Sequence, residues 1–140
     1  MPEGPSYPVR TISDGNFRYI RNLKSDELYI EKHLMGWDGK GELKNPYWAT
    51  WVRNSWANKK TYQLVKRYMV RPHEELYHTS MDPYELNNLV SNSKYLEIKN
   101  RLGPKLDEWM SSQGDPGLLQ DTDEALSAAR KGMHLFGPKQ

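Results

Sequence analysis

The stretch RPHEELYHTSMDPYELNNL, residues 71–89, holds the densest set of groups able to do chemistry: His73, Glu74, Glu75 and His78, followed by a proline turn and an asparagine pair. Two imidazoles and two carboxylates are the donor types of a metal centre or an acid/base pair. Their spacing argues otherwise. EELYHT, residues 74–79, reads as a strand, and on a strand His73 and His78 leave opposite faces because an odd number of positions separates them. Glu75 shares a face with His73, which gives two ligands where a closed site needs more. No metal ligand and no catalytic residue is assigned from this stretch.

Other chemistries fare no better. The chain has no Cys, which excludes disulfides, thiolate metal sites and a cysteine nucleophile. No serine stands in a G-x-S-x-G elbow. His33 and His134 fall where no rigid element is predicted. GWDGKG, residues 36–41, has glycines and a lysine but lacks the strand before it and the helix after it that make a phosphate loop. Trp37, Trp48, Trp51 and Trp56 offer flat faces for stacking on sugar rings, with Arg53 and Lys59 near for anionic groups. The helical spacing of Trp48, Trp51 and Val52 predicts instead that this stripe is core, an objection that leaves only Trp37 clear.

These residues must be positioned by a small set of elements. In PVRTISDGNFRYIRN, Asp14-Gly15 is a favoured two-residue hairpin loop, which would pair Ile12 with Phe17, Arg10 with Tyr19 and Val9 with Ile20. Val9 and Ile20 would then lie on the second sheet face, leaving both faces apolar and in need of cover. Residues 23–45 are broken by Gly36, Gly39 and Gly41 and read as a surface excursion. Asn45-Pro46 is an N-cap followed by proline in the first helical turn; this helix runs to Asn58, and a second stripe of Leu64, Val65, Tyr68 and Met69 continues to the Arg71-Pro72 stop. In MDPYELNNL, Asp82 and Pro83 predict a tight turn or single helical turn. From Ser93 to about Gln113, Ile98, Leu102, Leu106 and Trp109 share one face of a helix, which Gly103-Pro104 should kink or restart and QGDPG should end. DTDEALSAARKG is a short helical run before a polar tail.

The fold class is therefore α+β: a small antiparallel sheet, made of a hairpin plus further strands, packed against a C-terminal amphipathic helix, with a helical insertion between strands. Residues 1–117 form this subdomain, with the insertion at about 45–70, and residues 118–140 are an extension. With 140 residues, 20 basic and 18 acidic, the formal charge is +2, which gives no pull toward nucleic acid or an anionic membrane. No apolar run approaches the ~20 residues of a membrane span. MPEGPSYPVR has neither a basic n-region nor an apolar core, so no secretory signal is expected here.

The ordered pieces resemble the C-terminal segment of the sulfatase family, in the branch that includes heparan N-sulfatase (sulfamidase). YPVRTISDGNFRYIRNL is similar to the strand pair that opens the family's small C-terminal subdomain. RPHEELYHTSMDPYELNNLV is similar to its RP-x-EELYDL-x-x-DP-x-E-x-NNLA stretch, and YLEIKNRLGPKLDEWMSSQGDPG to its closing helix. The resemblance implies that the EELY strand and the turn after it are architectural. His78, Thr79 and Ser80 depart from the family's pattern there.

The resemblance also implies what is missing. Sulfatases hydrolyse sulfate esters or sulfamates with a formylglycine made from a C/S-x-P-S-R motif, beside a calcium held by Asp and Asn, all in a large N-terminal α/β domain. Pro5-Ser6 is followed by Tyr7 here, so no catalytic or metal position carries over, and the chain alone is expected to be inactive. The expected partners are that N-terminal domain, a sulfated glycan and, for an isolated piece, a second copy. An exported or lysosomal location is implied. Arg71, His73, Trp37 and Lys44 are the candidate substrate contacts, since sulfated sugars are anionic with stackable faces. The alternatives are a stand-alone carbohydrate- or protein-binding module and a structural remnant.

Overall fold

The computed structural model describes residues 6–29, 31–35, 45–119 and 122–130. Its elements run in the order β1 (Val9–Ser13), β2 (Phe17–Asn22), α1 (Lys32–Met35), α2 (Pro46–Ser55), α3 (Lys59–Met69), β3 (Glu74–His78), α4 (Leu96–Ser112) and α5 (Asp123–Arg130). They divide between two compact units, one holding residues 25–71 and 123–130, the other Tyr7–Lys24 and Pro72–Thr122. The α+β class, with helices inserted between β2 and β3, is the one the sequence predicts.

In the second unit β1, β2 and β3 form an antiparallel sheet in that order. The hairpin register differs from the predicted one: Ile12 pairs with Tyr19, Thr11 with Ile20 and Val9 with Asn22. Asp14 does not enter the loop. Its carboxylate accepts from the backbone N–H of Asn16 (3.0 Å) and Phe17 (2.8 Å), which sets Asp14 at the start of the turn. Gly15, at φ 95°, then takes the first central position, as a type II′ turn requires. The shift is an even number of residues, so every side chain keeps its predicted face.

One sheet face meets α4. Tyr19, Leu76, Leu102 and Leu106 make a buried cluster, with Ile12, Phe17, Leu89, Val90, Tyr95, Ile98 and Met110 against it. The stripe on α4 runs 98, 102, 106, 110, a strict i+4 row, so Met110 takes the place predicted for Trp109, which is half exposed. Nor does Gly103-Pro104 break the helix: α4 is continuous from Leu96 to Ser112. Both Asn100 and Pro104 are exposed, so the carbonyl that Pro104 deprives of its donor lies where solvent reaches it. Gly103 is buried with the Tyr19 hydroxyl close by.

The predicted stop is observed in detail. Gly114, at φ 66°, comes after the Gln113 cap, with Gly114 N–H donating to Ser111 O (3.1 Å) and Asp115 N–H to Met110 O (2.9 Å), the Schellman pattern. Four ion pairs border the sheet–helix layer: Arg10–Asp115, Arg21–Asp107, Glu74–Lys99 and Asp14–Arg101.

In the first unit, Asn45 caps α2 by accepting from Tyr47 N–H (3.0 Å) and Trp48 N–H (3.3 Å), with Pro46 in the first turn as predicted. Asn58 begins the next helix instead of ending the last one; it accepts from Thr61 N–H (2.9 Å) and caps α3. The core here is Met35, Trp48 and Val65, with Val52, Tyr68 and Met69 against it. Only the first tryptophan of the predicted stripe is in that core. Trp51 is 52% exposed and Trp56 84%.

Candidate functional site

The strand that carries the chemistry-bearing residues is an edge strand, and its free edge is patched by the loop that runs back along it. Asn88 Oδ1 accepts from Leu76 N–H (3.0 Å) and Val90 N–H (3.1 Å), and its Nδ2 donates to Glu74 O (3.4 Å). Leu89 N–H donates to Leu76 O (2.8 Å), as a fourth strand would. The turn that delivers Asn88 is held by Asp82, whose carboxylate accepts from Asn87 N–H (2.7 Å), and it passes through Glu85 at φ 52°. No helical turn forms. Glu85 instead pairs with Arg18 at 2.7 Å. Asparagine suits this place because one side chain accepts and donates at once.

Alternation along β3 sends its two glutamates to different environments. Glu74 faces α4 beside a cleft of about 320 Å³ lined by Tyr19, Arg21, Glu74, Lys99, Pro104 and Asp107, among others. Lys99 Nζ lies 2.6 Å from one Glu74 oxygen, and the Tyr19 hydroxyl donates to the other. Burial opposes ionisation of Glu74, but these hydrogen bonds outweigh it and hold its carboxyl below the usual carboxylate range. Burial and the bond to Glu74 push the Tyr19 hydroxyl up. The hydrogen bond to Asp107 strengthens the hold of Arg21 on its proton. A general base poised for catalysis needs its pKa moved toward neutrality; Glu74 moves away from it, so this group is a charged strut.

Glu75 faces the other way and is buried, 6% exposed. Its carboxylate accepts from Asn22 Nδ2 (2.7 Å) and from the Tyr77 hydroxyl. Asn22 Nδ2 also donates to Pro72 O (2.7 Å), while Asn22 Oδ1 has no hydrogen-bond partner among the described residues. The second sheet face thus has a buried polar cluster beside Ile20, with Val9 partly exposed.

His73 is exposed ahead of β3, its carbonyl accepting from Asn22 N–H (2.9 Å). His78 packs its ring on Phe17, centroids 4.4 Å apart. Arg71 belongs to the first unit, where its guanidinium lies 4.5 Å from the Tyr29 ring centroid and 5.9 Å from that of Tyr68. Trp37 and Lys44 lie outside the described residues. Among the described residues no three His, Asp or Glu are grouped as metal ligands would be.

No family model matches the sequence. Among curated relatives, two ulvan-active sulfatases of Formosa agariphila are similar to it. One is 33% identical over 109 residues, 78% of this chain and 18% of that protein; the other is 27% identical over 126 residues, 82% and 18%. Human N-sulphoglucosamine sulphohydrolase is 24% identical over 120 residues, 79% of this chain and 21% of its own length. The chain therefore spans about a fifth of the length of these relatives. With homologues that are sulfatases, and with the α+β fold built around its EELY strand, the chain is a C-terminal piece of the sulfatase family.

Proposed function

We propose that this chain is the structural and cleft-forming C-terminal subdomain of a hydrolase acting on sulfate esters or sulfamates. In this reading the formylglycine and the calcium belong to a large N-terminal α/β domain, its chief partner, and the chain alone is inactive. The observation that carries it is the pattern of similarity: the match to sulfatases spans about four fifths of this chain and a fifth of theirs. Ulvan-active and N-sulphoglucosamine-hydrolysing relatives make a sulfated carbohydrate the substrate class to try first.

Arg71, His73, Trp37 and Lys44 are its proposed contacts. Arg71 supports this best, because a guanidinium stacked on two rings is held in place while its edge can still meet a sulfate. The test measures sulfate release by the 140-residue chain alone and by the chain joined to the α/β domain. Release by the joined protein only is expected. Arg71→Ala and His73→Ala should then raise KM and leave kcat nearly unchanged, whereas turnover by the isolated chain would overturn the reading.

A further inference from the structure

From Asn45 to Arg71 the sequence has six cations, Arg53, Lys59, Lys60, Lys66, Arg67 and Arg71, and no Asp or Glu. The remainder of the chain is net acidic, although the whole is +2. This segment holds α2 and α3, and several of its aromatic rings stand in solvent. Tyr47 is 78% exposed, Trp51 52%, Trp56 84% and Tyr62 51%. Single exposed apolar residues are ordinary, but four rings on one helical pair are not. Trp51 is braced from beneath by the buried Trp48, ring centroids 6.2 Å apart, so its outer face is presented on a rigid support.

Arg53, Lys59, Lys60 and Lys66 are exposed, and none has an acidic partner in an ion pair seen among the described residues. Lys59 and Lys60 stand in the first turn of α3, which has no acidic residue, although the helix dipole disfavours cations there. A local rule broken without compensation inside the chain points to compensation from outside.

We propose that the exposed surface of α2 and α3 docks a sulfated carbohydrate chain, with Trp51 and Trp56 stacking on ring faces and Arg53, Lys59 and Lys60 meeting sulfates. It deepens the sulfatase reading and rests on it: it assigns a place where a polymer is held, separate from the residues proposed to contact the cleaved group. Charge complementarity selects the occupant. Protein interfaces are enriched in aromatic rings and arginine but depleted of lysine, so it is Lys59, Lys60 and Lys66 that favour a polyanionic carbohydrate over a protein partner. A membrane-lying helix buries its apolar face in the bilayer, whereas α2 turns Trp48 and Val52 into its own core.

The test titrates the 140-residue chain with dextran sulfate and with unsulfated dextran, following tryptophan fluorescence at two salt concentrations. Saturable binding of dextran sulfate alone is expected, weakening with salt. Trp56→Ala and the pair Lys59→Gln, Lys60→Gln should each lower affinity about tenfold, a loss near 1.4 kcal/mol. Trp109→Ala, at an exposed ring of the other unit, should leave it unchanged. All these positions are exposed, and circular dichroism checks that each variant is folded. Equal binding of plain dextran, wild-type affinity in the α2–α3 variants, or tighter binding of duplex DNA or phosphatidylserine vesicles than of dextran sulfate would overturn the proposal. Failure of the joined enzyme to release sulfate from a small aryl sulfate would sink the sulfatase reading without touching these binding results.

Discussion

Asn88 completes an edge strand with one amide group, and its replacement separates two roles. Asn88→Ala leaves Leu76 N–H without its acceptor and is expected to cost about 1–3 kcal/mol in urea unfolding. Asn88→Asp keeps the acceptor and sets an oxygen against Glu74 O where the weak 3.4 Å donation was, so it should cost less than Asn88→Ala. A second residue-scale prediction concerns acid. Hydrogen bonds from Phe17 N–H and Arg101 hold Asp14 at about 2, Arg10 holds Asp115 low, and Glu74 is also depressed. Depressed carboxylates bind fewer protons folded than unfolded, so the stability they lend is present above their unfolded pKa and lost as pH falls through the folded values. For Asp14 that window runs from 3.8 down to about 2. The urea midpoint should fall across it, and Asp14→Asn should flatten the fall. At the alkaline end the raised Tyr19 works with the opposite sign, lending stability that is lost as pH climbs through its raised value.

At the scale of elements, α4 is fixed by apolar burial and by its ion-paired border, and the two are unequal. Leu102, 1% exposed, sits against Tyr19 and Leu76, so Leu102→Ala should cost about 2–5 kcal/mol by urea unfolding. Arg21→Ala, opposite the exposed Asp107, should cost less than about 1 kcal/mol. Helix ends were legible in the sequence because caps are local: Asn45-Pro46 and Gly114 announce themselves whatever surrounds them. The hairpin loop was not, because Asp-Gly and Gly-Asn both suit it and an Asp14 side chain decided between them. Trp109 and Met110 are neighbours that periodicity separates poorly, and the outcome came from the i+4 row. Trp51 and Trp56 were misread for a different reason. Spacing says which residues share a stripe, but among the described residues α2 has one partner helix of length to cover it, and a single stripe was enough.

For the whole molecule, the chemistry first suggested by His73, Glu74, Glu75 and His78 dissolves into support. One carboxylate anchors α4, the other is buried with Asn22 and Tyr77, and both histidines stay outside any ligand set among the described residues. The proposed docking surface lies elsewhere, on the basic, aromatic segment inserted between β2 and β3. Asn22 N–H meets His73 O at 2.9 Å, so the chain leaves the sheet and re-enters it at neighbouring points of one ladder. A detour pinned shut at its base costs the fold little more when it lengthens, since closure entropy grows only logarithmically. Insertions and deletions among homologues should therefore gather between residues 24 and 71 and spare the seam itself, so that the helical insert varies in length while the ladder that closes it stays the same.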